Sequence, residues 1–186
     1  MSEQSVLRHP EEFEVMIDPE RIAERVREMG HELSRDYAGK DLVVVGVLKG
    51  SMLFMSDLVR HIALPLTCDF LRVSSYEGGL RSTGVVRFDF DLTQPVRDKH
   101  VLVVEDIIDT GLTMSFLLET LRLRGPASVR VATLLDKPEG RRTEVQIDYV
   151  GFTIPNRFVI GYGLDLEGRY RNLPYVAAMR TSARES

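Results

Sequence analysis

Residues 101–113, VLVVEDIIDTGLT, constrain this chain more than any other stretch. Val101 to Val104 form an unbroken apolar run, mostly valine, which suits a strand covered on both faces, as in a parallel sheet. Two adjacent carboxylates, Glu105 and Asp106, stand where that strand is expected to end. After Ile107 and Ile108, the segment Asp109 to Thr113 makes a small polar loop that runs straight into a helical pattern. Strand, acidic pair, loop and helix in this order predict an α/β fold with a ligand site, because open α/β sheets bind ligands outside the carboxyl ends of their strands.

The chemistry of the stretch follows from its groups. A loop that opens a helix presents free backbone N–H groups at the positive end of the helix dipole, a seat for a phosphate group. Gly111 allows close backbone approach, and the Thr110 and Thr113 hydroxyls can add donors. Glu105 and Asp106 would repel a bare phosphate, so they make sense as acceptors for sugar hydroxyls, directly or through hydrated Mg²⁺. A phosphate seat beside a diol or Mg²⁺ site points to a phosphorylated ribose, with Asp109 a candidate acid or base facing the same cavity. Three rival readings are weaker. The order apolar-apolar-Asp-Thr-Gly also occurs in aspartic proteases, but those are all-β and the run after Thr113 reads as a helix. A response-regulator receiver would begin on such a strand, yet too little chain follows it. A helix N-cap preceded by solvated acids leaves the acidic pair without a purpose.

With 186 residues, 44% hydrophobic and 28% charged, the chain fits one ordinary globular domain with a core that needs no disulfides. Its net charge of -4 argues against broad electrostatic binding to nucleic acid. The single cysteine, Cys68, favours a reducing cytoplasmic setting and reads as a small buried hydrophobe near a strand start. The acidic N-terminus does not read as a signal peptide, and no apolar run approaches a membrane span.

Along the chain, Phe13 to Ile17 reads as a short extended piece. Asp18-Pro19 signals a helix start, and Ile22, Val26, Met29 and Leu33 predict an amphipathic helix to about Tyr37. Leu42 to Leu48 predicts a second buried strand, then Lys49-Gly50-Ser51 and a helix to about Ile62; strand, lysine, glycine and helix again invite an anion. Leu66 to Ser75 and the alternating Val85 to Leu92 predict an antiparallel ribbon around the glycine-rich loop 75–84. A helix carrying Met114, Leu117, Leu118 and Leu121 should end at Gly125-Pro126, followed by a strand from Ser128 to Leu135 and a basic turn, Asp136 to Arg142, on the ligand side. In that turn Arg141 and Arg142 read as solvated. Without further help Phe158 and Tyr162 read as core aromatics, and residues from about Arg180 as a frayed tail.

The segment VVEDIIDTG resembles the signature of the type I phosphoribosyltransferases, and VGFTIPNRFVIGYGLD (150–165) narrows the resemblance to their hypoxanthine-guanine branch over roughly residues 10–179. That resemblance implies a twisted, mainly parallel sheet flanked by helices, as one domain: a core over about 35–150, a small hood from about 1–20 and 151–180, and a mobile β-ribbon lid loop. It implies purine salvage, with the 5-phosphoribosyl group moving from phosphoribosyl pyrophosphate to hypoxanthine or guanine. The 5′-phosphate falls to Asp109, Thr110, Gly111, Leu112 and Thr113, and the ribose hydroxyls to Glu105 and Asp106, with Asp109 catalytic. Lys49, Gly50 and Arg171 fall to pyrophosphate, with a strained cis peptide frequent at the Leu48-Lys49 turn. Lys137, Phe158, Val159 and Asp165 fall to the purine, and Ser75 and Tyr76 to the lid. Mg²⁺ is implied at Glu105, Asp106 and Asp165. Leu112 departs from relatives that carry lysine there, which removes one cationic contact. The resemblance further implies small-molecule partners, no nucleic acid or membrane, and a homodimer or homotetramer. Two alternatives stay open at this point: a regulatory relative that senses the sugar pyrophosphate and binds RNA, and a sibling enzyme acting on xanthine or another base.

Overall fold

The computed structural model describes residues 13–75 and 86–180. Its centre is a six-stranded sheet in the order β4-β3-β2-β5-β6-β7, comprising β2 (Leu42–Val47), β3 (Leu66–Ser75), β4 (Val86–Phe90), β5 (His100–Ile108), β6 (Ser128–Asp136) and β7 (Tyr149–Thr153). Every pairing is parallel except that of β3 with β4. The continuous apolar runs explain this: all six residues of β2 and Val101 to Val104 of β5 are buried, as strands sandwiched between helices must be.

Two helices cover one face. In α1 (Pro19–Asp36) the residues Ile22, Val26, Met29 and Leu33 form a single buried stripe, and Asp18 caps the helix by accepting from the Arg21 N–H at 2.8 Å. Phe54, Met55 and Leu58 of α2 (Met52–Val59) join the same cluster with Val44, Leu102 and Val104. On the opposite face, α3 (Leu112–Arg122) buries Met114, Leu117, Leu118 and Leu121 against Val43, Val101, Val103 and Val131. Each such side chain contributes about 1.5–3 kcal/mol of burial. Both later helices stop short of expectation, α2 at Val59 and α3 at Arg122.

A second, three-stranded antiparallel sheet joins the two ends of the described chain in the order β1 (Phe13–Ile17), β9 (Val176–Met179), β8 (Val159–Ile160). Its own small core is Phe13, Ile160, Leu173 and Ala177.

Three sequence expectations need correcting. Glu105 and Asp106 lie within β5, since pairing to β6 continues through Ile108 opposite Asp136. Cys68 is exposed. Phe90 is also exposed, because a bulge opposite Arg72 and Val73 breaks the alternation that keeps Phe88 against the core.

Candidate active site

The carboxyl ends of β5 and β6 carry the site. Pairing to β6 holds β5 straight through the acidic pair, so alternate residues are delivered to opposite faces. Glu105 lines an open cavity with Ile108, Asp109, Thr110, Gly111 and Thr113. Asp106 lines a second open cavity with Lys137, Phe158, Val159 and Asp165. Asp109 and Ile107 line both. The strand therefore separates two adjoining chambers, and Asp109 stands at the seam.

The first chamber is the loop into α3. Gly111 is the helix N-cap with φ +81°, a left-handed conformation that side chains resist, and Ser115 N–H closes the first turn onto its carbonyl at 2.9 Å. The N–H groups of that first turn have no acceptor within the helix. They belong to the loop that lines the chamber with Thr110, Gly111 and Thr113, which suits an anion. Leu112 is half exposed beside it. Thr143 O, Arg141 Cδ and Val145 crowd Gly111 from outside, and the Arg142 and Thr143 N–H groups both donate to Thr110 O, at 2.9 and 3.1 Å.

The second chamber is mixed in character. Lys137 is buried, with its Nζ donating to Asp109 Oδ2 at 2.8 Å. Phe158 is 46% exposed, its ring tilted against Phe13 at 6.5 Å between centroids, so it is a chamber wall rather than a core aromatic. Val159 is buried at the start of β8. Asp165 accepts from Gly168 N–H at 2.7 Å and pairs with Arg171 at 2.5 Å. Arg157 also lines this chamber while pairing with Glu14 at 2.7 Å. Nothing in the sequence reading singled out Arg157; its only signal is its position directly before Phe158.

The Lys49-Gly50 turn closes the arrangement. The Leu48–Lys49 peptide is cis, and Lys49 is exposed. Gly50 is buried so tightly against the Asp106 carboxylate that a Cβ there would lie 1.7 Å from Oδ2. Gly163 lies on the Gly50 carbonyl in turn, which brings the segment before Asp165 up to this turn.

Burial strains the acidic pair. Desolvation, reinforced by the neighbouring Asp106 charge, pushes the Glu105 carboxyl well above its ordinary range, and its Oε2 is buried with no hydrogen-bond partner. Desolvation also raises Asp106, opposed by a hydrogen bond with Glu105, backbone N–H groups and the Arg171 charge. Among the described residues no group of three or more His, Cys, Asp or Glu is arranged to hold a metal ion. Glu105 and Asp106 adjoin, whereas Asp165 is turned to Arg171 and Gly168.

The remaining expectations are met unevenly. Ser75 ends β3, and Tyr76 lies outside the described residues. Arg141 is not solvated: its side chain is 17% exposed and pairs with Asp136, while Arg142 is exposed as expected. Tyr162 is buried. Among the described residues no helix is long and apolar enough to cross a membrane.

Comparison with known proteins fits this geometry. Residues 16–167 match the family described as the phosphoribosyl transferase domain. A hypoxanthine-guanine phosphoribosyltransferase of Streptococcus pneumoniae is 51% identical over 166 residues, 89% of this chain and 92% of the relative. The enzyme of that name from Bacillus subtilis is 45% identical over 172 residues, 92% of this chain and 96% of its own. A hypoxanthine phosphoribosyltransferase crystal structure from Staphylococcus aureus superposes with a TM-score of 0.87 at 45% identity, covering 93% of this chain and 94% of that one. A polar loop that opens α3 at the end of β5, a second chamber across Asp109, and this likeness over nearly the whole chain have one explanation: the chain belongs to the hypoxanthine-guanine branch of the phosphoribosyltransferase family.

Proposed function

We propose that this chain is a purine-salvage enzyme that transfers the 5-phosphoribosyl group of phosphoribosyl pyrophosphate to hypoxanthine or guanine, giving IMP or GMP and pyrophosphate. One observation carries the reading: Asp109 walls both chambers, so a phosphate on the α3 loop and a base beside Lys137 and Phe158 would meet across it.

In this reading the 5′-phosphate sits on Asp109 to Thr113, and Glu105 and Asp106 accept from the ribose hydroxyls. Phe158 stacks on the purine, the Val159 backbone reads its edge, and Lys137 donates to its 6-oxo group. Lys49, Gly50 and Arg171 hold the pyrophosphate. The C1–O bond to pyrophosphate breaks with its electron pair leaving on oxygen, and the sugar passes through an oxocarbenium-like state. The purine N9 then bonds to C1, and the N7 proton passes to the Asp109 carboxylate. Because Lys137 already holds that carboxylate, the base is oriented before substrate arrives.

The donor set also fits Mg²⁺. Glu105 Oε2 is a buried oxygen without a partner, and burial disfavours the charged form of both adjacent acids. The three acids Glu105, Asp106 and Asp165 are not gathered into one protein site, since Asp106 and Asp165 line the second chamber and Glu105 the first. Each would meet the ion with substrate oxygens completing its shell, which suits a cation that seldom takes an all-protein cage. When bound, it supplies charge neutralisation for the departing pyrophosphate.

The reading places the enzyme in the cytoplasm, which the free Cys68 thiol suits, as a single catalytic domain that works as a homodimer or homotetramer on small molecules. Initial rates with phosphoribosyl pyrophosphate and Mg²⁺ against hypoxanthine, guanine, xanthine and adenine test it. Nucleotide should form rapidly from hypoxanthine or guanine and slowly from adenine. No turnover of any purine would overturn it.

A further inference from the structure

We propose that Gly140 is a positioning residue for Asp109: the missing side chain at 140 fixes where that carboxylate stands. The inference rests on Asp109 being the base. A Cβ on Gly140 would lie 1.9 Å from Asp109 Oδ1 and 3.1 Å from its Cγ. Gly140 is not among the glycines with positive φ, so its backbone would accept any residue. What the position demands is space, and the space is filled by Asp109.

The turn that carries Gly140 cannot easily withdraw. It is a 3₁₀ turn over Pro138–Gly140, closed by Gly140 N–H to Lys137 O at 3.2 Å and Arg141 N–H to Pro138 O at 3.1 Å. On one side Lys137 N–H donates to Ile108 O at 3.0 Å; on the other, Arg142 and Thr143 donate to Thr110 O. These bonds tie the turn to the residues directly before and after Asp109. A methyl group at 140 would therefore displace the mobile partner, the Asp109 side chain, and break the 2.8 Å bond from Lys137 to Oδ2. Gly140 and Lys137 grip the two carboxylate oxygens from the same turn, one by contact and one by charge.

Gly140→Ala tests this in the full chain. Turnover with hypoxanthine should fall about 10- to 100-fold, the scale of a misplaced catalytic group, with KM for phosphoribosyl pyrophosphate nearly unchanged. Glu139→Ala, in the same turn and exposed, should keep native turnover. The deciding measurement is the cycle with Asp109→Ala, where no carboxylate remains to be displaced: adding Gly140→Ala there should cost nothing more. Should Gly140→Ala fail to fold, the double variant, which has room for the methyl, should fold. Native turnover in Gly140→Ala beside a slowed Asp109→Ala would sink this proposal alone. An equal loss in both backgrounds, an equal loss in Glu139→Ala, or failure of both Gly140 variants to fold would also sink it. Native turnover in Asp109→Ala would overturn the base assignment and this proposal together.

Discussion

The Lys137 ammonium donates to Asp109 Oδ2 at 2.8 Å across the seam between the two chambers, with Lys137 buried and the Asp109 side chain 43% exposed. The acid is thus held on one side and open on the other, as a group that must receive a proton needs to be. Asp109→Asn keeps the shape and removes the basicity. Its turnover should drop by about 10² to 10⁴, the range for one general base, with the thermal midpoint little changed. Steady-state rates beside a melting curve check this, and native turnover would remove Asp109 from the chemistry.

Lys137→Ala frees the Asp109 carboxylate, a loss shared by every purine, so the ratio between purines isolates the contact of Lys137 with the base. The 6-oxo group of hypoxanthine would lose its buried donor, at a cost of about 1–3 kcal/mol. Adenine offers no such acceptor, so the preference for hypoxanthine over adenine should shrink by a similar factor. An unchanged preference would contradict the role given to Lys137.

Much of this architecture could be read from the chain. β2 and β5 announce themselves by continuous valine-rich runs, α1 by its cap and its stripe, and the α3 loop by its polar residues between strand and helix. Those signals are local. Where the outcome depends on residues far apart, the sequence was silent or misleading. The end of β5 moved past Glu105 and Asp106 because β6 pairs through Ile108. Phe90 turned outward because of a bulge against β3. Gly140 looked like any turn glycine until Asp109 was folded against it. Phe158 is a different case: read alone it suggested a core aromatic, the resemblance suggested a stacking ring, and its exposure excludes the first.

That exposure has a measurable consequence. Phe158 touches Phe13 at 6.5 Å but leaves much of its ring in the chamber, so truncation should cost little stability, about 1 kcal/mol or less. Base stacking on an aromatic is worth about 1–3 kcal/mol, so Phe158→Ala should raise KM for hypoxanthine about 5- to 150-fold. A large fall in thermal midpoint with unchanged KM would return Phe158 to a packing role.

The raised Glu105 carboxyl makes stability depend on pH. Between its ordinary value of 4.5 and its higher folded value, the folded chain keeps a proton that the unfolded chain releases. Stability from this group is therefore fully present below 4.5 and declines as pH rises through the window above it. Glu105→Gln removes the share that Glu105 contributes, leaving that of Asp106, which burial also raises. Without Mg²⁺ or substrate the variant should melt higher than the native chain at neutral pH, and the gap should close as the solution is acidified. Melting curves across that range decide, and a gap that does not vary with pH would contradict the burial argument.

Tyr162 joins the second sheet to the helical layer. Its hydroxyl donates to Asp57 Oδ2 of α2 at 2.6 Å, and its N–H donates to Leu173 O at 2.8 Å from a left-handed backbone, φ +47°. Burial, with the Asp57 charge, pushes the phenol far above its usual value, so it stays a donor at any working pH. Hydrogen bonds to charged groups are worth about 1.5–3 kcal/mol, but the Asp57 side chain is 39% exposed and also pairs with Arg60 at 3.1 Å, so water can replace part of the loss. Tyr162→Phe should therefore cost about 1 kcal/mol, a fall of about 2–4 °C in the thermal midpoint for a chain of this size. Tyr162 lines neither of the two chambers that meet at Asp109, so turnover well below the melting range should stay near native. Asp57→Ala should show a similar loss, and the double variant less than the sum of the two. Strict additivity would mean that the bond does not hold the sheet to α2, and that packing around the ring does.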